Sequence, residues 1–135
     1  MRHVGLLVSI LALAAFIGGC SKPDPVNMNE TGELAAGDTT HPDDGSFYDE
    51  YTFKAAEGYT ITVNMTSDAF DSYLHLRGPD GSDLQQNDDV EPGNLNSRIT
   101  FTAPSTGEYT ILANSRGAGE TGAYTLSIVT AAGGG

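Results

Sequence analysis

The chain has 135 residues, of which 18 are acidic and six are lysine or arginine, giving a net charge of −12. That is room for one domain and not comfortably for two, and so negative a surface repels the phosphates of nucleic acid and of anionic lipid. With a single cysteine no intramolecular disulfide is available, so cohesion must come from a core, from bound ions, or from both.

Residues 1–3 are a short basic start, and residues 4–17 are apolar apart from Gly5 and Ser9. A run of that length is too short to span a bilayer comfortably and matches the apolar region of a signal peptide. It ends on Ile17-Gly18-Gly19-Cys20. Small residues just before a lone cysteine resemble the lipobox of bacterial lipoproteins, in which the thiol takes a diacylglycerol and the cysteine becomes the new N-terminus. The resemblance implies a signal peptide over 1–19, lipidation of Cys20, and residence in the bacterial cell envelope, anchored to the membrane through the N-terminal lipid. Ser21, where an aspartate would mark inner-membrane retention, leans towards the outer membrane or cell surface. The mature chain would keep Lys22, Lys54, Arg77, Arg98 and Arg116 against all 18 acids, a side-chain balance of −13. That balance suits multivalent cations, basic partners or a salty environment.

Residues 20–37 carry two prolines, polar side chains and no periodicity, and read as a flexible tether. Residues 38–130 read as the domain and 131–135 as a frayed tail. The domain is written in strand grammar. Tyr51 and Phe53 begin it. Tyr59, Ile61, Val63 and Met65 then alternate with Thr60, Thr62 and Asn64. Leu74 with Leu76, Ile99 with Phe101, Tyr109 with Ile111 and Ala113, and Tyr124 with Leu126 and Ile128 extend the same pattern. Gly, Pro, Asn and Asp punctuate it at residues 79–81, 91–94, 104–107 and 117–122. No stretch of helical length shows a 3.6-residue period after the signal peptide. Seven or so strands, each with one apolar face, need a second sheet to cover that face, which predicts an antiparallel β-sandwich, with a small barrel as the alternative. A Gly-(x)-Tyr-Thr-aliphatic start recurs before Ile61, Ile111 and Leu126 at unequal spacings. This is the grammar of a turn, an edge-capping tyrosine and a strand rather than a repeat protein.

Taken in order, Asp49-Glu50-Tyr51-Thr52-Phe53, Ala56-Glu57-Gly58, Phe70-Asp71-Ser72-Tyr73-Leu74-His75-Leu76, Pro79-Asp80-Gly81, Asn87-Asp88-Asp89, Asn96-Ser97-Arg98-Ile99 and Gly107-Glu108-Tyr109-Thr110-Ile111 resemble the bacterial pre-peptidase C-terminal domain, over about residues 32–130. The resemblance implies an all-β fold, a jelly-roll-like antiparallel sandwich of about seven to eight strands. It also implies a non-catalytic accessory role, since such domains are commonly appended to secreted proteases. Related collagen-binding domains of clostridial collagenases bind calcium. Here the domain is expected to stand alone behind its lipid anchor, with no protease beside it.

Calcium takes six to eight oxygen ligands, and two acid clusters are candidates to supply them. One is Asp71 with Asn87, Asp88 and Asp89, which antiparallel pairing of one hairpin would bring to a single edge. The other is Glu33, Asp38, Asp43, Asp44 and Asp49, which the resemblance to the collagen-binding domains favours. Against both stands plain turn chemistry, in which aspartate and asparagine side chains accept backbone N–H groups. Catalysis is not expected. There is no tryptophan to form a sugar platform for paired carboxylates and no G-x-S-x-G elbow. His75, between Leu74 and Leu76, is expected on the opposite, exposed face, and the two usable histidines do not make a zinc site. Tyr48, Tyr51 and Tyr73 read as packing residues before they read as a ligand face. Two functions follow. The first is a surface-anchored module binding an extracellular protein, peptide or polysaccharide. The second is a folding accessory acting in trans on exported enzymes.

Overall fold

The computed structural model describes residues 22–43, 45–87 and 96–133. Within them run eight strands and no helix: β1 (Asn27–Leu34), β2 (Tyr48–Ala55), β3 (Thr60–Thr66), β4 (Ser72–Arg77), β5 (Asp83–Asn87), β6 (Ser97–Thr102), β7 (Gly107–Ser115) and β8 (Gly122–Ala131). They form two antiparallel four-stranded sheets, ordered β1-β8-β3-β6 and β2-β7-β4-β5. The chain changes sheet at every connection except the β4–β5 hairpin, which gives the jelly-roll form of the predicted sandwich.

Period-2 patterning explains the packing. Ile61, Val63 and Met65 of β3, Leu74 and Leu76 of β4, Ile99 of β6, Ile111 and Ala113 of β7 and Leu126 and Ile128 of β8 are all buried in one core between the sheets. Their neighbours Thr60, Thr66, Arg98, Thr100, Thr125 and Val129 are exposed.

The recurring tyrosine has a use at each of its three positions, and each time the ring is buried while the hydroxyl ties two parts of the chain. Tyr59 donates to the carbonyl of Pro23 at 2.7 Å. Tyr109 donates to the carbonyl of Ser105 in the turn just before its own strand. Tyr124 on β8 donates to Asp49 Oδ2 at 2.5 Å and lies 2.6 Å from the Tyr51 hydroxyl, and so joins the two sheets. Burial, with the carboxylate of Asp49 next, pushes the Tyr124 hydroxyl far above the ordinary tyrosine value, so it stays a donor.

Part of the segment expected to be a tether is a strand. Asn27–Leu34 pairs with β8 over its whole length, from Asn27 opposite Val129 to Leu34 opposite Gly122. The pairing continues upstream, because Val26 N–H donates to Thr130 Oγ1 at 2.8 Å and Thr130 N–H donates to the Val26 carbonyl at 3.0 Å. The alternation is hidden because Glu30 and Gly32 hold two of the less exposed positions between Met28 and Leu34. At Gly32 a Cβ would lie 2.5 Å from the Tyr124 hydroxyl and 3.0 Å from that of Tyr51. The tyrosine pair therefore occupies the space that an apolar side chain would otherwise fill.

Candidate functional site

All strands run between two poles. At the near pole lie residues 22–26, the end of β8 and the connections 56–59, 78–82 and 103–106. At the far pole lie the connections 35–47, 67–71 and 116–121, together with Asn87 at the end of β5 and Asn96 before β6. The near pole is stitched by backbone, Gly58 N–H to the Ala103 carbonyl at 2.9 Å and Ala103 N–H to the Tyr59 carbonyl at 2.8 Å, and by one side chain, Thr106 Oγ1, which accepts Glu57 N–H at 2.9 Å.

The far pole holds a groove of about 480 Å³ with a rim of Thr31, Thr66, Ser67, Asp68, Asn96 and Thr125, and with Gly32 and Tyr124 also lining it. Its shape is set locally. Ser67 N–H donates to Asn96 Oδ1 at 3.2 Å, Ser67 Oγ donates to the Ala123 carbonyl at 2.8 Å, and Thr66 and Thr125 join through their hydroxyls. Gly122, at φ 141°, lets Ala69 approach to where a Cβ would be only 2.2 Å from the alanine methyl. Hydroxyls, one carboxamide and one carboxylate around a small-residue floor suit hydrogen-bonded recognition of a polar ligand. Among the described residues no basic side chain lines the groove.

Asp71 and Asn87 fall at the same end of the β4–β5 hairpin: Asp71 immediately precedes β4, and Asn87, the last residue of β5, pairs with Leu74. Oδ1 of Asp71 is buried, and Oδ1 of Asn87 is buried without a hydrogen-bond partner. The Asp71 carbonyl accepts Arg116 N–H at 2.8 Å, which ties this end to the β7–β8 connection. Asp88 and Asp89 lie outside the described residues.

The second acid set is spread over several environments. Asp38 accepts Ala35 N–H at 2.9 Å in a turn. Asp49 accepts the Tyr124 hydroxyl. Glu33 is exposed on β1, and exposed Asp43 lies 3.9 Å from His41 Nδ1. Asp44 lies outside the described residues. Among the described residues no three His, Cys, Asp or Glu side chains come together as a metal-holding group.

His75 is on the face opposite Leu74 and Leu76, as expected, but it is not exposed. It retains 7% of its surface, because the connection 35–47 folds over that sheet. Thr40 bridges to Phe47 within the connection, and Asn114 donates to Ser46 Oγ at 2.8 Å and to the Phe47 carbonyl at 2.6 Å. His41, 5% exposed, stacks on His75 with ring centroids 4.7 Å apart and planes 16° apart, and Tyr73 covers a further side of His75 at 5.0 Å. Leu112, facing out from β7 between Ile111 and Ala113, is fully buried there too. Burial, and next the neighbouring His41, lower the pKa of His75. His41 Nδ1 accepts Asp43 N–H at 3.2 Å, whereas His41 Nε2 and His75 Nδ1 are buried without partners. Nearly parallel ring planes cannot aim both in-plane lone pairs at one ion, so the pair is packing and not a metal centre. Sequence reasoning missed this small second core because its cover comes from a connection with no strand signal.

Comparison with known proteins adds the following. The family model described as the bacterial pre-peptidase C-terminal domain matches residues 47–115. No curated protein matches the chain. Among solved structures, the periplasmic inhibitor of g-type lysozyme PliG from Aeromonas hydrophila is similar at a TM-score of 0.56 and 18% identity, covering 78% of this chain and 86% of that one. The pre-peptidase C-terminal domain of a collagenase from Bacillus anthracis is similar at 0.54 and 19%, covering 76% and 89%. PliG from Salmonella Typhimurium is similar at 0.52 and 20%, covering 78% and 87%. These likenesses are of fold.

Proposed function

The chain belongs to the bacterial pre-peptidase C-terminal domain family, and we propose that it is a non-catalytic binding module, held at the bacterial cell envelope by a lipid on Cys20, whose far pole takes a protein partner. The observation that carries this reading is the polar groove between Thr31, Thr66, Asp68, Asn96 and Thr125, at the pole opposite residues 22–26. A protein ligand is supported over a polysaccharide by the two PliG structures of like fold, which are inhibitors of an enzyme and are periplasmic. The side-chain balance of −13 suits a basic partner.

Calcium is part of the proposal. Asp71 and Asn87 bring hard oxygen donors to the far pole, the orphaned Asn87 Oδ1 among them, and Asp88 and Asp89 follow directly in sequence. A bound ion would offset repulsion among these acids in a fold with no disulfide.

The test uses a g-type lysozyme as probe. Its binding to the mature chain is measured by calorimetry alongside Asp68→Arg and Thr125→Arg at the far pole and Thr106→Arg at the near pole. Binding lost only in the far-pole variants is the expected result. Binding lost only in Thr106→Arg contradicts the placement. No binding to lysozyme or to other basic envelope proteins leaves the field to the folding accessory.

A further inference from the structure

We infer that the near pole lies directly on the lipid headgroups, with Lys22 and Lys54 at the contact and the far pole held away from the bilayer. The inference rests on the lipid-anchor reading of Cys20 and concerns what the fold does with that anchor.

Reach decides first. The chain is part of the sandwich from Pro23 onward, where the Tyr59 hydroxyl holds its carbonyl at 2.7 Å, and the Val26–Thr130 pair follows at once. Only Ser21 and Lys22 separate Pro23 from Cys20. A chain spans at most ~3.6 Å per residue, so an acylated Cys20 lies within roughly 11 Å of Pro23. The segment expected to lift the domain off the membrane is therefore mostly consumed by β1 and its lead-in.

Shape decides second. The strands run pole to pole, and the ten residues of β8 extend roughly 30 Å at about 3.3 Å each. With the near pole held at the surface, the groove, whose Thr125 lies six residues from Ala131, stands roughly 20 Å out.

Charge decides third. A second groove, of about 550 Å³, is lined by Lys22, Lys54, Asp24, Glu108, Pro23 and Thr106. Two of the mature chain's five basic side chains balance its two acids, so this patch is near neutral within a strongly negative molecule. The far pole instead carries Asp68, Asp71, Glu120, Asp38 and Asp43. The near pole also holds Glu57 and Asp80, and the far pole Arg116, so an anionic bilayer repels the far pole more strongly than the near one, and least at the Lys22–Lys54 patch. The occupant of the near pole is thus the headgroup layer, and the lipid on Cys20, not electrostatics, supplies the attachment.

The test uses the full lipidated protein. Cys20 is the only native cysteine and its thiol is consumed by acylation, so one introduced cysteine is labelled uniquely. Thr106→Cys and Asp68→Cys, both exposed, mark the two poles. Each labelled protein is placed in phosphatidylethanolamine–phosphatidylglycerol vesicles that carry a headgroup quencher. The expected result is several-fold stronger quenching at position 106 than at 68, with the contrast collapsing when a long Gly–Ser segment is inserted between Ser21 and Lys22. Equal quenching in protein that floats with the vesicles overturns this inference alone, as does a contrast that survives the insertion. Protein that does not float overturns the lipid-anchor reading and this inference with it.

Discussion

The two poles are built from different chemistry. The near pole is closed by backbone hydrogen bonds between the 56–59 turn and the 103–106 turn, and by Tyr59 and Tyr109 bonding to main-chain carbonyls. The far pole has backbone ties too, such as Arg116 N–H to the Asp71 carbonyl, but around the groove it is closed by side chains: Ser67 to the Ala123 carbonyl, Asn96 to Ser67, and Thr66 to Thr125. Backbone stitching is indifferent to side-chain identity and makes a scaffold. Side-chain closure leaves polar groups on a rim where a ligand can compete for them. Connecting segments placed on a rigid frame are where binding surfaces are commonly built, and here the groove sits where side chains make the closure.

The largest expected effect would sharpen the contrast. With calcium a hundredfold above its dissociation constant, the far pole gains about 2.7 kcal/mol of linkage stabilisation, seen as a higher Tm with calcium than with chelator. An Asp88→Ala/Asp89→Ala variant loses that gain. A gain that survives in the variant moves the ion to Glu33, Asp38, Asp43, Asp44 and Asp49.

Next in size, Gly32→Ala drives a methyl against the Tyr124 hydroxyl, and overpacking of this kind costs about 2 kcal/mol. Denaturant unfolding measures it, and a neutral result would remove the reason given for the missing alternation in β1. Tyr59→Phe, at the near pole, deletes the bond to Pro23 and costs about 1 kcal/mol. It also speeds exchange of the Val26 amide.

The histidine stack gives a pH-dependent test. The pKa of His75 lies below its ordinary 6.5, so the fold prefers the neutral ring. The stability this contributes is complete above pH 6.5 and is lost as pH falls towards and through the lowered value. Tm measured against pH should fall more steeply below 6.5 in the wild type than in His75→Gln. Parallel curves would show that the ring is solvated. Smallest of all, Asp68→Ala at the groove rim changes stability by no more than about 0.5 kcal/mol while weakening the partner's binding.

β2, β3, β4, β6, β7 and β8 were legible because apolar residues alternate along them, as Ile61, Val63 and Met65 or Tyr124, Leu126 and Ile128 do, whereas β5 carries only Leu84 among polar residues. β1 was not legible, because Glu30 and Gly32 stand where apolar residues would have shown the period. The recurring Gly-(x)-Tyr-Thr start was visible, yet the partners of the three hydroxyls are not. Pro23 is 36 residues from Tyr59, and Asp49 is 75 from Tyr124. The burial of His75 is likewise non-local, because its cover comes from His41, Ser46 and Phe47 across two strands. Of the candidate site, pairing of one hairpin foretold the shared position of Asp71 and Asn87. The groove lined by Thr31, Thr66, Asn96 and Thr125 draws on β1, which the sequence had hidden, and so went unseen.

The most direct measurement is residue-resolved amide hydrogen exchange on the mature chain. An account in which the chain joins the sandwich from Pro23 requires Val26, the paired amides of β1 and Thr130 to exchange slowly, while the amides of the 67–71 and 116–121 connections other than Ser67, Ala69 and Arg116 exchange fast. Exchange in Val26 and β1 as fast as in those far-pole connections would contradict it, restoring a free tether and removing the reason for a near pole fastened to residues 23–26.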